Sequence, residues 1–585
     1  MDRNNSRYNY EPLQGPEQIR TLTLRGISNG VVECTIQQIK VSEGGYQALS
    51  YNKQLGRIPL TKNLNDALHD LWNADELTSK VFWVDQICID QEGEEKNHQV
   101  AFMGQIYKNA SSVITYLGRV EDEEEEQRGL EFLKRLDSHF SPNYEKLSQA
   151  WDLNIAMSKL SELPVSRLPD DLLGGAVSER IWQWLVTLCF GEWATRLWIV
   201  QEQMLNTDNR MLHGHQLLSW DSVAVMPVLF CLRLLPDQHV NTFCATNHKS
   251  LIENPGHVVS SIFSIWRTYQ HARQKAATAT SFAYSLLSNM SRFENMQCRD
   301  PRDYIFALLA ISSDSIDLGI TPDYSKSPKQ VFLDTTISMV ESHANLDYLT
   351  FACRTDNSSD LIHSSWAITS PRPAHLWSRT LPFKVFSPHP FLILHARPRF
   401  FADGKTNALT LKGRILDHFS FIKSPIYQSK SFILDIRDAD LTETLSQLTE
   451  ALSDVICDLG ITLENAAALC RTLILDPNWK PTHGQGSPTQ QTAYHFWCMN
   501  VWKDMHFQGR SFCTTQQRRV CSCMNKIESD DVIAAFRGGD RLYVLRPVEG
   551  GRYRLVGDAY VDGLMFGEAY EGVDADEVDY DIELM

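Results

Sequence analysis

One alternation constrains this chain more than any other feature. Short apolar runs of strand length take turns with longer segments whose apolar residues recur at helical spacing. Tyr46 to Tyr51 (YQALSY) reads as a strand, and Asn63 as the N-cap of a helix carrying Leu64, Ala67, Leu68, Leu71 and Trp72. Val81 to Val84 is the next strand, and Val100, Met103, Tyr107 and Ala110 form the next helical stripe. Val113 to Leu117 is a third buried strand, ended by Gly118. Strands that are apolar on both faces need cover on both faces. The β-α-β-α-β order therefore predicts a parallel sheet of four or five strands with helices on either side, Val81 to Val84 lying centrally.

The flanks read differently. Before residue 46, Ile19 to Leu24 and Val31 to Ile36 alternate around Asn29-Gly30, which predicts a hairpin lead-in over 1–45. The α/β domain is expected over 46–205 and a mainly helical region over 206–383. In that region CRDPRDYIFALLAI carries a start signal, with Asp300 as N-cap, Pro301 at N1 and Asp303 at N3. From 384 to 585 short strands and glycine turns predict a β-rich unit, interrupted by a helical insert at 441–475. The acidic tail from Asp574 reads as loose. The acid run Glu121 to Glu126 reads as a solvated loop and first helical turn.

Composition narrows the class. A chain of 585 residues suggests about two to four domains. The net charge of −17 disfavours a broad nucleic-acid surface and an anionic membrane surface. No run is long and apolar enough for a membrane span, and the polar start has no signal-peptide core. The 13 cysteines are odd in number and scattered through apolar runs, as Cys88 and Cys189 show. That pattern fits reduced, buried thiols and hence the cytosol or nucleus, of which the cytoplasm is expected.

Several chemical signatures are missing, among them the phosphate-binding P-loop, HExxH and the EF-hand loop. The GxSxG at Gly26 to Gly30 has strands on both sides, so it reads as a hairpin turn and not as a nucleophile elbow. Cys513, Cys521 and Cys523, with His506 and Cys498 nearby, lack the paired CxxC spacing of a zinc ribbon, and no metal is expected. Three segments remain. In VFWVDQICIDQ a strand ends in Asp85, with Asp90 and Gln91 just beyond. Such carboxylates either line a ligand site at the strand ends or cap backbone amides. In WATRLWIVQE, Arg196, Trp198 and Glu202 are either site residues or core partners of one another. The third, YVDGLMFGE at the end of the β-rich unit, reads as structural.

Together these segments resemble the fungal heterokaryon-incompatibility (HET) domain family. Its YxALSYxWG opening is matched by Tyr46 to Tyr51, and its NLxxAL helix by Asn63 to Leu68. Its hallmark, similar to WIDAICINQ, reads Trp83-Val84-Asp85-Gln86-Ile87-Cys88-Ile89-Asp90-Gln91 here, followed by Glu95-Lys96, Gln99-Val100, Met103 and Ile106-Tyr107. WxxRxWxxQE is Trp193, Arg196, Trp198 and Gln201-Glu202. Asp300 to Asp303, Pro322 to Ser325, Leu545 to Pro547 and Gly563 to Glu568 also resemble long HET proteins. The opening departs from the pattern: SYNKQLG puts Leu55 where the family has tryptophan.

The resemblance implies a role in non-self recognition, with death of the fused compartment when incompatible cells join. It also implies remote similarity to TIR domains, hence a flavodoxin-like fold. In the first reading the protein is a signalling module that works through protein partners or self-association. By TIR analogy, NAD becomes a possible substrate, with no bound cofactor. Glu202 is then the catalytic carboxylate, and Ser50, Tyr51, Asp85, Asp90, Gln91, Arg196 and Trp198 are pocket candidates. A degenerate paralogue without killing activity is the third reading.

Overall fold

In the computed structural model the N-terminal hairpin forms as its turn chemistry dictates. Strands β1 (Gln18–Ser28) and β2 (Val31–Lys40) pair antiparallel. Asn29 and Gly30, at φ 51° and 74°, supply the left-handed pair that a two-residue hairpin turn requires. The structure describes residues 10–50, 60–91, 95–149, 179–231, 234, 255–275, 284–342, 346–352, 364–368, 399–402, 407–423, 468, 471–472, 510–524, 527–539 and 541–585. Tyr51 with the rest of the SYNKQLG loop, most of the 441–475 insert, His506 and Cys498 lie outside these residues.

The hairpin joins the expected strands in one seven-stranded sheet, ordered β2-β1-β4-β3-β5-β6-β7. Here β3 is Gln47–Ser50, β4 Val81–Trp83, β5 Ser112–Gly118, β6 Asn209–His213 and β7 Gln216–Ser219. The pairs β3–β4, β3–β5 and β5–β6 are parallel. The expectation of a parallel sheet is corrected at its margins, where β1 pairs β4 and β7 pairs β6 antiparallel. The β6–β7 and β1–β2 connections are hairpins, and a short turn can only reverse the chain; the β1–β2 hairpin then sets β1 against β4 in the antiparallel sense. Strand β4 lies between β1 and β3, and Phe82, Trp83 and Val84 are fully buried.

Helices α1 (Lys62–Asn73), α2 (Asp85–Cys88), α3 (Glu95–Asn109) and α4 (Glu123–Phe140) follow the strands. The stripe Leu64, Ala67, Leu68 and Leu71 is buried as its spacing requires. The cap of α1 sits two residues before the expected Asn63: Thr61 Oγ1 accepts from the Leu64 amide at 3.0 Å. The acid run opens α4, with one exception to its solvated character. Glu126 is buried and sits 2.6 Å from His213 Nε2.

The chain divides into two units, Met1–Ile316 with Ile320–Ser325, and Asp317–Gly319 with Lys326–Met585. In the second, strands β8 (Arg399–Ala402), β9 (Asn407–Lys423), β10 (Arg510–Thr515), β11 (Val520–Met524), β12 (Val532–Phe536), β13 (Leu542–Val548), β14 (Arg552–Val561) and β15 (Tyr580–Leu584) share one sheet. The ladder β10-β11-β14-β13-β12-β9 closes on itself, because β9 also pairs β10. The two flanks of the insert thus contribute to a single closed sheet. The tail reading is corrected: β15 pairs β9 antiparallel, and the Met585 amide donates to Tyr553 at 2.9 Å. Ile582 and Leu584 are buried there, and Asp579 is held by Arg537 at 2.6 Å, so apolar alternation outweighs the acidic composition.

Candidate functional site

The hallmark strand ends where the chain makes one helical turn, α2. The amides of Ile87 and Cys88 donate to the Val84 carbonyl, so the Asp85 carboxylate caps neither of them. Asp85 Oδ1 is buried with no hydrogen-bond partner among the described residues. The Asp85 carbonyl accepts from Gln91 Nε2 at 3.0 Å, which ties the turn across its base. The Asp90 amide donates to Glu95 Oε1 at 3.2 Å. Glu95 thus caps the Asp90 amide, and the cap reading is corrected for Asp85 at the Ile87 and Cys88 amides.

Glu95 is fixed in turn by Arg20 of β1, at 2.5 and 2.9 Å in a two-pronged pair. Arg20 is 1% exposed and also donates to the carbonyls of Cys88 and Glu11, at 3.0 and 2.6 Å. Tyr10 stacks under its guanidinium and donates to the Ile87 carbonyl at 3.0 Å. A planar guanidinium suits this role because it serves several acceptors at once. Sequence reasoning missed Arg20; its only signal was a charged residue inside an apolar strand.

The WATRLWIVQE segment contributes the second half. Glu202, in the helix Ile199–Met204, is 1% exposed and pairs with Arg196 at 3.4 Å. The Tyr107 hydroxyl of α3 is hydrogen-bonded to Glu202; burial first, then the charges of Glu202 and Asp85, push its pKa well up. Glu202, Arg196 and Asp85 are thus gathered around Tyr107, a residue the sequence reading had placed in a helical stripe and in the hallmark motif but not among the pocket candidates. Trp198 turns elsewhere, donating to Asp303 at 3.1 Å, and Gln201 donates to the Ala307 carbonyl at 2.8 Å. Tyr324 of the PDYS segment donates to the other Asp303 oxygen at 2.5 Å and lies under Lys96. Burial raises the Asp303 carboxyl against these two hydrogen bonds. Ser50 ends β3, parallel and adjacent to β4, so its backbone opens on the same sheet edge as Asp85.

Asp300 is not the expected N-cap. The helix begins at Asp303, whose amide meets the Asp300 carbonyl, while the Asp300 carboxylate takes the amide and guanidinium of Arg302 at 3.0, 2.8 and 2.7 Å. Burial pushes the Asp300 carboxyl up, but the Arg302 hydrogen bonds and charge outweigh it and hold the pKa low. Asp300→Ala is expected to cost about 1 kcal/mol at neutral pH, through loss of this turn closure. A depressed folded-state pKa stabilises above the unfolded value and is lost as pH falls through the folded one. The gap between wild-type and variant melting curves is therefore expected to narrow in acid, and a widening gap would contradict this account.

These motifs are matched by two family models, "Heterokaryon incompatibility protein (HET)" over residues 34–202 and "Het-6 beta-barrel domain" over residues 488–578. This is a fungal HET-domain protein. Heterokaryon incompatibility protein 6, OR allele, of Neurospora crassa is 24% identical over 309 residues. That similarity spans 48% of this chain and 43% of the relative. No solved structure matches the chain. The closed ladder of β9 to β14 overlaps the barrel match, and the hallmark turn and Glu202 fall within the HET match. None of the described helices is long and apolar enough to cross a membrane.

Proposed function

We propose that this HET-domain protein acts in the cytoplasm in fungal non-self recognition. It triggers death of the fused compartment as a signalling module, through protein partners or self-association. The observation that carries this reading is the state of Glu202. It is buried, paired with Arg196 and hydrogen-bonded to Tyr107, so the motif serves packing between the sheet and its helices. A buried, paired carboxylate supports a scaffold better than an open catalytic site.

A second reading, a TIR-like NAD glycohydrolase, draws support from topology. The parallel strands run β4-β3-β5-β6, which in chain order is 2-1-3-4, the order of flavodoxin-like sheets that bind ligands at their strand ends. The unpartnered Asp85 Oδ1 lies at such an end. In that reading Glu202 stabilises the oxocarbenium-like ribosyl centre as nicotinamide leaves. The test is incubation of the purified full chain with NAD, following free nicotinamide. The signalling reading expects no release by wild type or by Glu202→Ala. Release by wild type, lost by at least 100-fold (about 2.7 kcal/mol) in Glu202→Ala, would replace it with the enzymatic one.

A further inference from the structure

The second unit holds a cluster that neither reading uses. Cys513 of β10 lies directly opposite Cys521 of β11 in the antiparallel ladder. Cys523 is two residues further along β11, so its side chain returns to the same face. The three sulfur atoms lie within 4.8 Å of one another, and all three residues are fully buried. Chain spacing argued against a metal because it reads ligands along the sequence. The ladder assembles these three across it.

We propose that Cys513, Cys521 and Cys523 form a binding site for a soft, thiophilic metal ion inside the closed sheet. The donor chemistry carries the choice of ion. Among the described residues the group holds three thiols and no carboxylate or imidazole, a donor set that selects thiophilic ions such as Cu(I) or Zn(II) over Mg(II) or Ca(II). The surroundings are apolar, including Phe419, Ile533, Val544 and Val561, so water does not compete for the donors. A divalent or a monovalent ion takes up the three sulfurs as their thiol protons leave to solvent, so binding weakens in acid. Both keep every sulfur–carbon bond and involve no redox step. Binding in so buried a place accompanies folding, so the ion acts as a structural staple.

The test is elemental analysis of the full-length protein, produced and purified under reducing conditions, with zinc and with copper as separate arms. About one ion per chain is expected in one arm. Retention is expected to fall at least tenfold in Cys521→Ala and Cys523→Ala, and to be unchanged in Cys34→Ala, an exposed thiol. Should the core variants fail to fold, wild-type protein refolded with Co(II) or Cd(II) reports directly, through sulfur-to-metal charge-transfer absorption. The arm that loads names the ion. Wild type that retains neither ion and shows no such absorption overturns the proposal, as does equal retention in a folded triple-alanine variant.

Discussion

Arg20→Ala is expected to destabilise the first unit by about 3–5 kcal/mol, one of the two largest single-residue effects argued from this structure. The guanidinium is 1% exposed, and Glu95 beside it is mostly buried. Removing Arg20 leaves a carboxylate desolvated without its cation and strips the carbonyls of Cys88 and Glu11 of a donor. That cost exceeds the worth of the pair itself, because the partner is left behind in a poor solvent. The double variant Arg20→Met with Glu95→Gln is therefore expected to recover part of the loss. Arg20→Lys should recover little, since one ammonium cannot reach the same spread of acceptors. Chemical unfolding followed by fluorescence of the first unit measures each. A loss below about 1 kcal/mol in Arg20→Ala would place the hallmark turn's support elsewhere.

The sequence made the sheet legible where the signal is local. Strands β3, β4 and β5 are apolar because helices cover them, and α1 and α3 show their buried stripes at helical spacing. The β1–β2 turn was legible because Asn29-Gly30 has few other uses between alternating strands. Long-range pairing was not. Arg20 and Glu95 lie 75 positions apart, and nothing along the chain joins them. The tail offered a signal that composition hid: in YDIEL the apolar residues alternate, and Ile582 and Leu584 are the ones buried.

The candidate site was legible in part for the same reason. Glu202 and Arg196 are six positions apart, so a local pair was among the readings open from sequence, and it is what forms. Their partner Tyr107 sits on a different helix, and only the fold brings it there. Trp198 and Asp303 belong to motifs 105 positions apart, joined by one hydrogen bond. Two segments that read as separate signatures are therefore one structural unit, with Tyr324 as the third member. The thiol cluster marks the opposite limit, since two of its members face each other only across a ladder.

The second large effect is expected at Asp558 of β14. Its carboxylate oxygens receive Arg510 at 2.8 Å and Arg541 at 3.1 Å, and all three side chains are within 4% of complete burial. Asp558→Ala takes a negative charge from between two guanidiniums. The desolvation cost of both cations stays, and their mutual repulsion loses its screen. A loss of about 3–5 kcal/mol or more is expected, enough to compromise soluble expression of the β-rich unit. Asp558→Asn separates charge from shape. It preserves volume and one acceptor oxygen but turns an amide N–H toward one guanidinium, so a loss it shares with Asp558→Ala comes from the charge and one acceptor and not from lost packing. The comparison pair is Lys412–Asp581, at 3.1 Å but 39% and 50% exposed. Asp581→Asn is expected to stay within about 0.5 kcal/mol, because water already screens that pair. Equilibrium unfolding of the three variants decides the matter. If Asp558→Asn and Asp581→Asn prove equally mild, the buried charges at Asp558 do not hold the barrel together.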